Sequence, residues 1–197
     1  MIVLYFFMII ITLVVWKIFY NKRLNITYIK SDIDDQYYLV RNEGSKVEAA
    51  NFLAILRKDL ISFCIFIKEN NKDVSEEKKN SINRFFRRLD PDNIIEAPND
   101  DENTSYCINK GEEIAICLRS KTDDTKFHEK NTIIYVILHE LAHVMSISIG
   151  HNDEFMENFR FLLKNAIKHG IWKRVDYCKR GKGAKYCGIE IRECLLD

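Results

Sequence analysis

The chain has 197 residues, 47% of them hydrophobic and 30% charged, and its 30 Lys+Arg against 29 Asp+Glu leave a formal net charge of +1. This is ordinary globular composition, enough for one core of roughly 150 residues and an appendage. The charge balance excludes a whole-chain field that would draw in nucleic acid, so any such partner needs a local basic patch.

The first segment, MIVLYFFMIIITLVVWKIFY, carries no charge before Lys17, and Ile18, Phe19 and Tyr20 continue the apolar run beyond it. A bilayer is spanned by roughly 17–25 helical residues, which predicts a transmembrane anchor over residues 1–20, with the lipid bilayer as its partner. The alternatives are a cleavable signal peptide, which lacks a basic n-region and an A-x-A-like site here, and a buried core helix. Lys17, Lys22, Arg23 and Lys30 follow the segment, and the positive-inside rule then predicts a single-pass membrane protein with its large domain on the cytosolic side. In that reducing compartment Cys64, Cys107, Cys117, Cys178, Cys187 and Cys194 are expected as free thiols. None forms a CxxC pair, so no cysteine zinc site is indicated. The sequons at Asn25 and Asn103 read as unused.

Residues 21–44 read as a juxtamembrane tether, with a short strand at Tyr37, Tyr38, Leu39 and Val40 as the alternative. A folded domain is expected over residues 45–197. Ser45 and Glu48 make a capping box, followed by Leu53, Leu56, Leu60, Phe63, Cys64 and Ile67 at helical spacing. Ile82, Phe85, Phe86 and Leu89 mark a second helix that stops before Pro91. Residues 91–103 hold both prolines and an acidic cluster and read as a loop. Two short runs, 105–108 and 113–118, flank Asn109, Lys110, Gly111 and Glu112, which predicts a β-hairpin or a strand pair with a longer turn.

From Thr132, Ile134, Ile137, Leu138, Leu141, Met145 and Ser148 or Ile149 form one helical face. His139 and His143, four apart, stack one turn above the other, so two imidazole nitrogens converge on one ion. Glu140 is rotated by about 100° from His139 and is placed to reach water at that ion. This is the HExxH arrangement of catalytic zinc, in which the glutamate is a general base. Catalytic zinc takes three protein ligands. Gly150 suits a left-handed helix end, His151 follows it as the third ligand, and Glu154 is the nearest alternative. Asn152 or Asp153 caps a last helix that buries Phe155, Phe159, Leu162, Leu163 and Ala166 and ends at Gly170. His128 reads as a loop residue, and His169 as a partner of the dipole of that helix.

The sequence around HELAH resembles the WLM metallopeptidases, relatives of the SprT-like proteases that cut proteins crosslinked to DNA. The likeness runs from about residue 106 to residue 163, through YCINKGEEIAICLRS, the aspartate-rich loop, HELAH and the H-x-x-x-F beyond it. With the apolar first segment it is similar to the small WLM-domain proteins of large cytoplasmic DNA viruses, which implies a host or virion membrane. The resemblance implies a small α+β, zincin-like domain, zinc on His139, His143 and His151, and Glu140 as the residue that activates water. It also implies a protein or peptide substrate held along the strand at 113–118, which would border the cleft as an edge strand. One departure is plain: VMSISIG leaves two residues more between His143 and His151 than the family's usual spacing, which would lengthen the helix by about half a turn.

Oxyanion stabilisation needs a further donor, and Tyr186 is the candidate, with a packing role as its alternative. Lys173, Arg174, Lys179, Arg180, Lys182 and Lys185 cluster near it, and Lys179, Arg180, Lys182 and Lys185 form the candidate contact for nucleic acid or anionic lipid. The sequence therefore predicts a membrane-anchored zinc metallopeptidase. Its alternative is a non-catalytic viral membrane or virion protein that uses a zincin-like fold to bind protein or nucleic acid.

Overall fold

The computed structural model describes residues 2–23, 25–99, 104–179, 183–193 and 195–196, with the side chains of the first helix described over residues 5–20. Helix α1 (Ile2–Arg23) leads into two antiparallel strands, β1 (Ile26–Lys30) and β2 (Tyr37–Arg41). Val40 and Tyr38 of β2 are buried in the core, so the segment expected as a tether is part of the folded body.

The transmembrane prediction is corrected. Among the described residues no helix is long and apolar enough to cross a membrane. The anchor, the bilayer partner and the single-pass localisation inferred from them are withdrawn. The side chains of Lys22 and Arg23 lie outside the described residues.

Helix α2 (Lys46–Asn70) buries Leu53, Leu56, Leu60, Phe63 and Ile67, as the spacing predicted. The Ser45–Glu48 capping box does not form. Ser45 has φ −91° and ψ 35° and makes no side-chain cap bond, because the capping hydroxyl reaches its N–H only from extended backbone. Helix α3 (Glu76–Arg88) is capped by Ser75, whose hydroxyl accepts the Lys78 N–H, and it ends two residues short of Pro91 with Arg87 and Arg88 in its last turn.

A three-stranded sheet carries β3 (Ile94–Glu96), β4 (Tyr106–Ile108) and β5 (Glu113–Ile116) in the order β3-β5-β4, with β3 parallel and β4 antiparallel to β5. Part of the expected loop 91–103 is therefore strand β3. The expected edge strand at 113–118 is instead the centre of the sheet, and β4 is the outer strand on the other side. The β4–β5 turn needs positive φ at Asn109, Lys110 and Gly111. At Gly111 a Cβ would lie 2.9 Å from the Arg88 carbonyl oxygen and 3.0 Å from Val144, so the turn packs directly on two helices.

One buried ion cluster ties the hairpin to this sheet. The Glu96 carboxylate accepts from the Arg41 backbone N–H at 2.8 Å, from Arg41 Nε at 3.0 Å, and from Arg119 Nε and Nη2 at 2.8 and 2.7 Å. All three side chains are at most 1% exposed. Each guanidinium also donates to the other's backbone carbonyl, at 2.8 and 3.1 Å, and Glu43 brings a second carboxylate to 3.8 and 3.9 Å of the pair, which offsets the cost of burying two like charges together.

Helix α4 (Lys130–Met145) is the central helix, with Ile133, Ile134, Ile137, Leu138 and Leu141 buried. Helix α5 (Asp153–His169) packs on it through Phe155, Phe159, Leu162, Leu163 and Ala166. Asn152 caps α5 by accepting the Phe155 N–H, and Gly170 ends it at φ 87°. A last antiparallel pair, β6 (Ala184–Tyr186) and β7 (Ile189–Ile191), follows. The free-thiol expectation is also corrected: Cys117 and Cys187 form a disulfide and Cys178 is disulfide-bonded, while Cys64 and Cys107 are free. Asn103 and Cys194 lie outside the described residues.

Candidate metal centre

Beyond its first two residues, helix α4 is buried except where His139, Glu140 and His143 come partly to the surface. The helix does not run on to Gly150 as its spacing suggested. It stops at Met145, and the residues between His143 and His151 are spent on a loop. Carbonyls of the last turn and the loop are taken by cations from other elements. Arg84 Nη1 donates to the Met145 carbonyl at 2.5 Å, Arg88 Nη1 to Val144 and Ser146, and Lys110 Nζ to Ser146, Ile147 and Ser148.

Glu154, on the first turn of α5, holds the loop from the other side. Its carboxylate accepts from the Ile147 N–H at 2.9 Å, the Ser148 N–H at 3.1 Å and the Ser148 hydroxyl at 2.6 Å, with Arg84 at 3.4 Å. Burial alone would raise its pKa, but the Ser148 hydroxyl, the two N–H groups and Arg84 outweigh burial and hold it at about 2. Glu154, the alternative third ligand, is thus committed to the loop that delivers His151.

The three predicted histidines converge. Their ring centroids are 5.1 Å (His139–His143), 4.8 Å (His139–His151) and 5.0 Å (His143–His151) apart, nearly an equilateral triangle. His139 Nε2 and His151 Nε2 are 3.0 Å apart, and one ligand nitrogen from each of the three lies within 4.8 Å of the others. Phe155, 1% exposed, packs on all three rings at 4.9, 4.3 and 4.7 Å. Burial, then the neighbouring histidines, lowers the pKa of His139 to about 3; burial, then His151 and Lys110, lowers that of His143 to about 4. Both imidazoles are therefore neutral, with lone pairs to offer.

A tetrahedral ion at about 2.0–2.1 Å from nitrogen places its ligands roughly 3.3 Å apart, close to the 3.0 Å between His139 Nε2 and His151 Nε2. Three imidazoles facing one point, with no acid among them, fit a zinc-type divalent ion. Glu140 sits beside this point. Burial pushes its carboxyl up to about 8, against the lowering effect of the Cys107 backbone N–H that it accepts. That bond places outer strand β4 next to the acid.

Beside Glu140 is a cavity of about 150 Å³, lined by Thr104, Tyr135 and Val136 together with Ile189, Ile191, Arg192 and Glu193 of the β6–β7 region. The sequence reading missed these residues. They lie up to 53 positions from Glu140 with no local signal between them. Tyr186 lies near enough to Glu140 for that acid's charge to act on its phenol. It is fully buried, its hydroxyl bonds Ser105 Oγ at 2.7 Å and its ring packs on His128. His169 bonds Ser62 of α2 at 2.9 Å and packs on Phe66.

Of the predicted basic contact, Lys179 and Lys185 are exposed, and Arg180 and Lys182 lie outside the described residues. Lys185 faces Glu190 across the β6–β7 pair, so an acid sits opposite that part of the cluster.

The WLM domain family model matches residues 97–193. The chain is 39% identical over 170 residues to the uncharacterized protein R325 of Acanthamoeba polyphaga mimivirus, covering 86% of this chain and 84% of that one. It is 34% identical over 137 residues to the uncharacterized protein 042R of Invertebrate iridescent virus 3, covering 67% and 76%. Among solved structures, Wss1 from Saccharomyces cerevisiae aligns with a TM-score of 0.47 at 21% identity, over 66% of this chain and 88% of that one.

Proposed function

We propose that this chain, which belongs to the WLM domain family, is a zinc-dependent peptidase in which His139, His143 and His151 hold the ion and Glu140 carries the proton. The observation that supports it is the histidine triangle, with a half-buried acid one residue after its first member and no acid within it. A structural zinc site would be closed by a fourth protein ligand. Here the side that faces Glu140 opens on the cavity instead.

Zinc, when bound, supplies a Lewis acid that acidifies water and polarises a carbonyl. The remaining work falls to the chain's own groups. His139 and His143 are kept neutral and aimed by α4, and Phe155 fixes all three ring planes from below. Glu140, desolvated and steered by the Cys107 N–H, takes a proton from water and returns it to the departing amide nitrogen. Outer strand β4 gives an extended protein substrate a backbone edge beside Glu140, and the cavity bordered by Tyr135 and Ile191 receives a side chain next to the scissile bond.

The test is metal-dependent cleavage of an unfolded protein. Chelation abolishes it, zinc restores it, and His143→Ala loses zinc and cleavage together. Cleavage that persists in the stripped chain overturns the proposal.

A further inference from the structure

A second cluster of metal-ligand chemistry lies apart from the three histidines. Cys117 directly follows β5, His128 lies in the segment before α4, and Cys187 sits in the β6–β7 turn with φ 46°. Their ligand atoms all lie within 4.8 Å of one another. Two backbone contacts hold the arms in place: the His128 N–H donates to the Leu118 carbonyl at 2.9 Å, and Arg119 bridges Phe127. The two sulfurs are joined, with Cα atoms 6.5 Å apart, near the long end of the span a disulfide tolerates.

A disulfide satisfies its sulfurs and makes no demand on an imidazole. Yet His128 Nε2 is 3.2 Å from Cys187 Sγ and accepts the Cys187 N–H at 3.4 Å, so its lone pair faces the sulfur pair. The ring is held in that pose by Tyr186, whose centroid is 4.9 Å away. We propose that Cys117, His128 and Cys187 form a second zinc site in the reduced chain, with the disulfide as its oxidised form.

The chemistry balances. A dithiol or phosphine reductant breaks the Sγ–Sγ bond with two electrons and two protons, giving two thiols. Zinc then enters as the two thiols lose those protons, so two thiolates neutralise the ion and no net charge is buried. Two thiolates and an imidazole are a zinc donor set, and the fourth position goes to water. The water comes from the adjoining cavity of about 560 Å³, which His128 and Cys187 line together with Ser120, Lys126 and Lys185. The site also ties β6–β7, a wall of the cavity beside Glu140, to the end of β5.

The test uses the whole chain, stripped of metal, reduced with a phosphine and loaded with cobalt. Thiolate ligation gives an intense sulfur-to-cobalt charge-transfer absorption; a three-histidine site gives only weak visible bands. The reduced wild type is expected to show the charge-transfer band and to hold about two zinc ions per chain, against about one when oxidised. The oxidised wild type is the control that needs no substitution. Cys117→Ser with Cys187→Ser is expected to lose the band and keep the weak ones. His143→Ala is expected to keep the band, so failure of the three-histidine site reads out separately. Cys117 and Cys187 titrating as free thiols in a folded, cobalt-loaded chain with no charge-transfer band overturns the proposal. So does an equal zinc content in the reduced and oxidised forms.

Discussion

Replacing Glu154 by Ala tests whether the loop before His151 is held by the contacts described. The carboxylate accepts three hydrogen bonds and meets Arg84. Bonds to a charged group are worth about 1.5–3 kcal/mol each when buried, but this side chain is 31% exposed, so a total of about 2 kcal/mol is the sensible magnitude. Freed of that hold, His151 must be ordered by the ion itself, and the same free energy appears as a roughly 30-fold weaker zinc affinity, within the range for residues that orient a ligand. The assay is competition against a chromophoric chelator at neutral pH, with Cys117 and Cys187 kept oxidised. Glu157→Ala, exposed on the same helix, is the control and is expected to bind zinc like the wild type. Zinc affinity unchanged in Glu154→Ala would refute the reasoning and leave Arg84, Arg88 and Lys110 as the groups that shape the loop. The pH dependence has a definite sign. The folded pKa of Glu154 is depressed to about 2, so its contribution is complete above about 4.3, the unfolded value, and fades as pH falls toward 2. The stability gap between the wild type and Glu154→Gln, measured metal-free by denaturant titration, is expected to be flat from pH 7 to 5 and to close below that.

Zinc binding near neutral pH is expected to release a proton from Glu140, because its carboxyl titrates at about 8 in the metal-free site and a divalent cation favours the ionised form. Calorimetry in buffers of different ionisation enthalpy should therefore show more protons released by the wild type than by Glu140→Gln. Phe155→Ala removes a buried ring that touches all three histidines and is expected to cost about 3–5 kcal/mol of stability and to weaken zinc binding; Phe155→Leu should lose much less of both in the same melts. Glu96→Gln leaves Arg41 and Arg119 buried without their carboxylate and should destabilise by about 3–5 kcal/mol, read as a lower denaturant midpoint.

Much of the site was legible because its signals are local. His139, Glu140 and His143 sit within one turn and a half of a helix whose apolar spacing fixes their direction, and Asn152 and Gly170 mark both ends of α5. What the sequence hid depends on distant partners. Helix α4 stops at Met145 because the carbonyls there are taken by Arg84, Arg88 and Lys110, cations that lie on α3 and the β4–β5 turn. Strand β3 is three residues long, between two prolines, and exists by pairing with β5 about twenty residues later. That pairing moved the expected edge to the sheet's centre. Tyr186 lay in a polar, basic stretch, yet the core claims it through Ser105 and His128. The Cys117–Cys187 pair spans 70 residues, beyond any spacing rule for CxxC sites, and its histidine sat in an apparent loop.

The claim that the chain hydrolyses peptide bonds through water activated by Glu140 is tested most directly by digesting an unfolded protein in water enriched in oxygen-18. Wild type is expected to place one heavy oxygen in each new C-terminal carboxyl group, and Glu140→Gln, with the same zinc content, to produce no new termini. Equal cleavage by both chains, or new termini without the heavy oxygen, would contradict it.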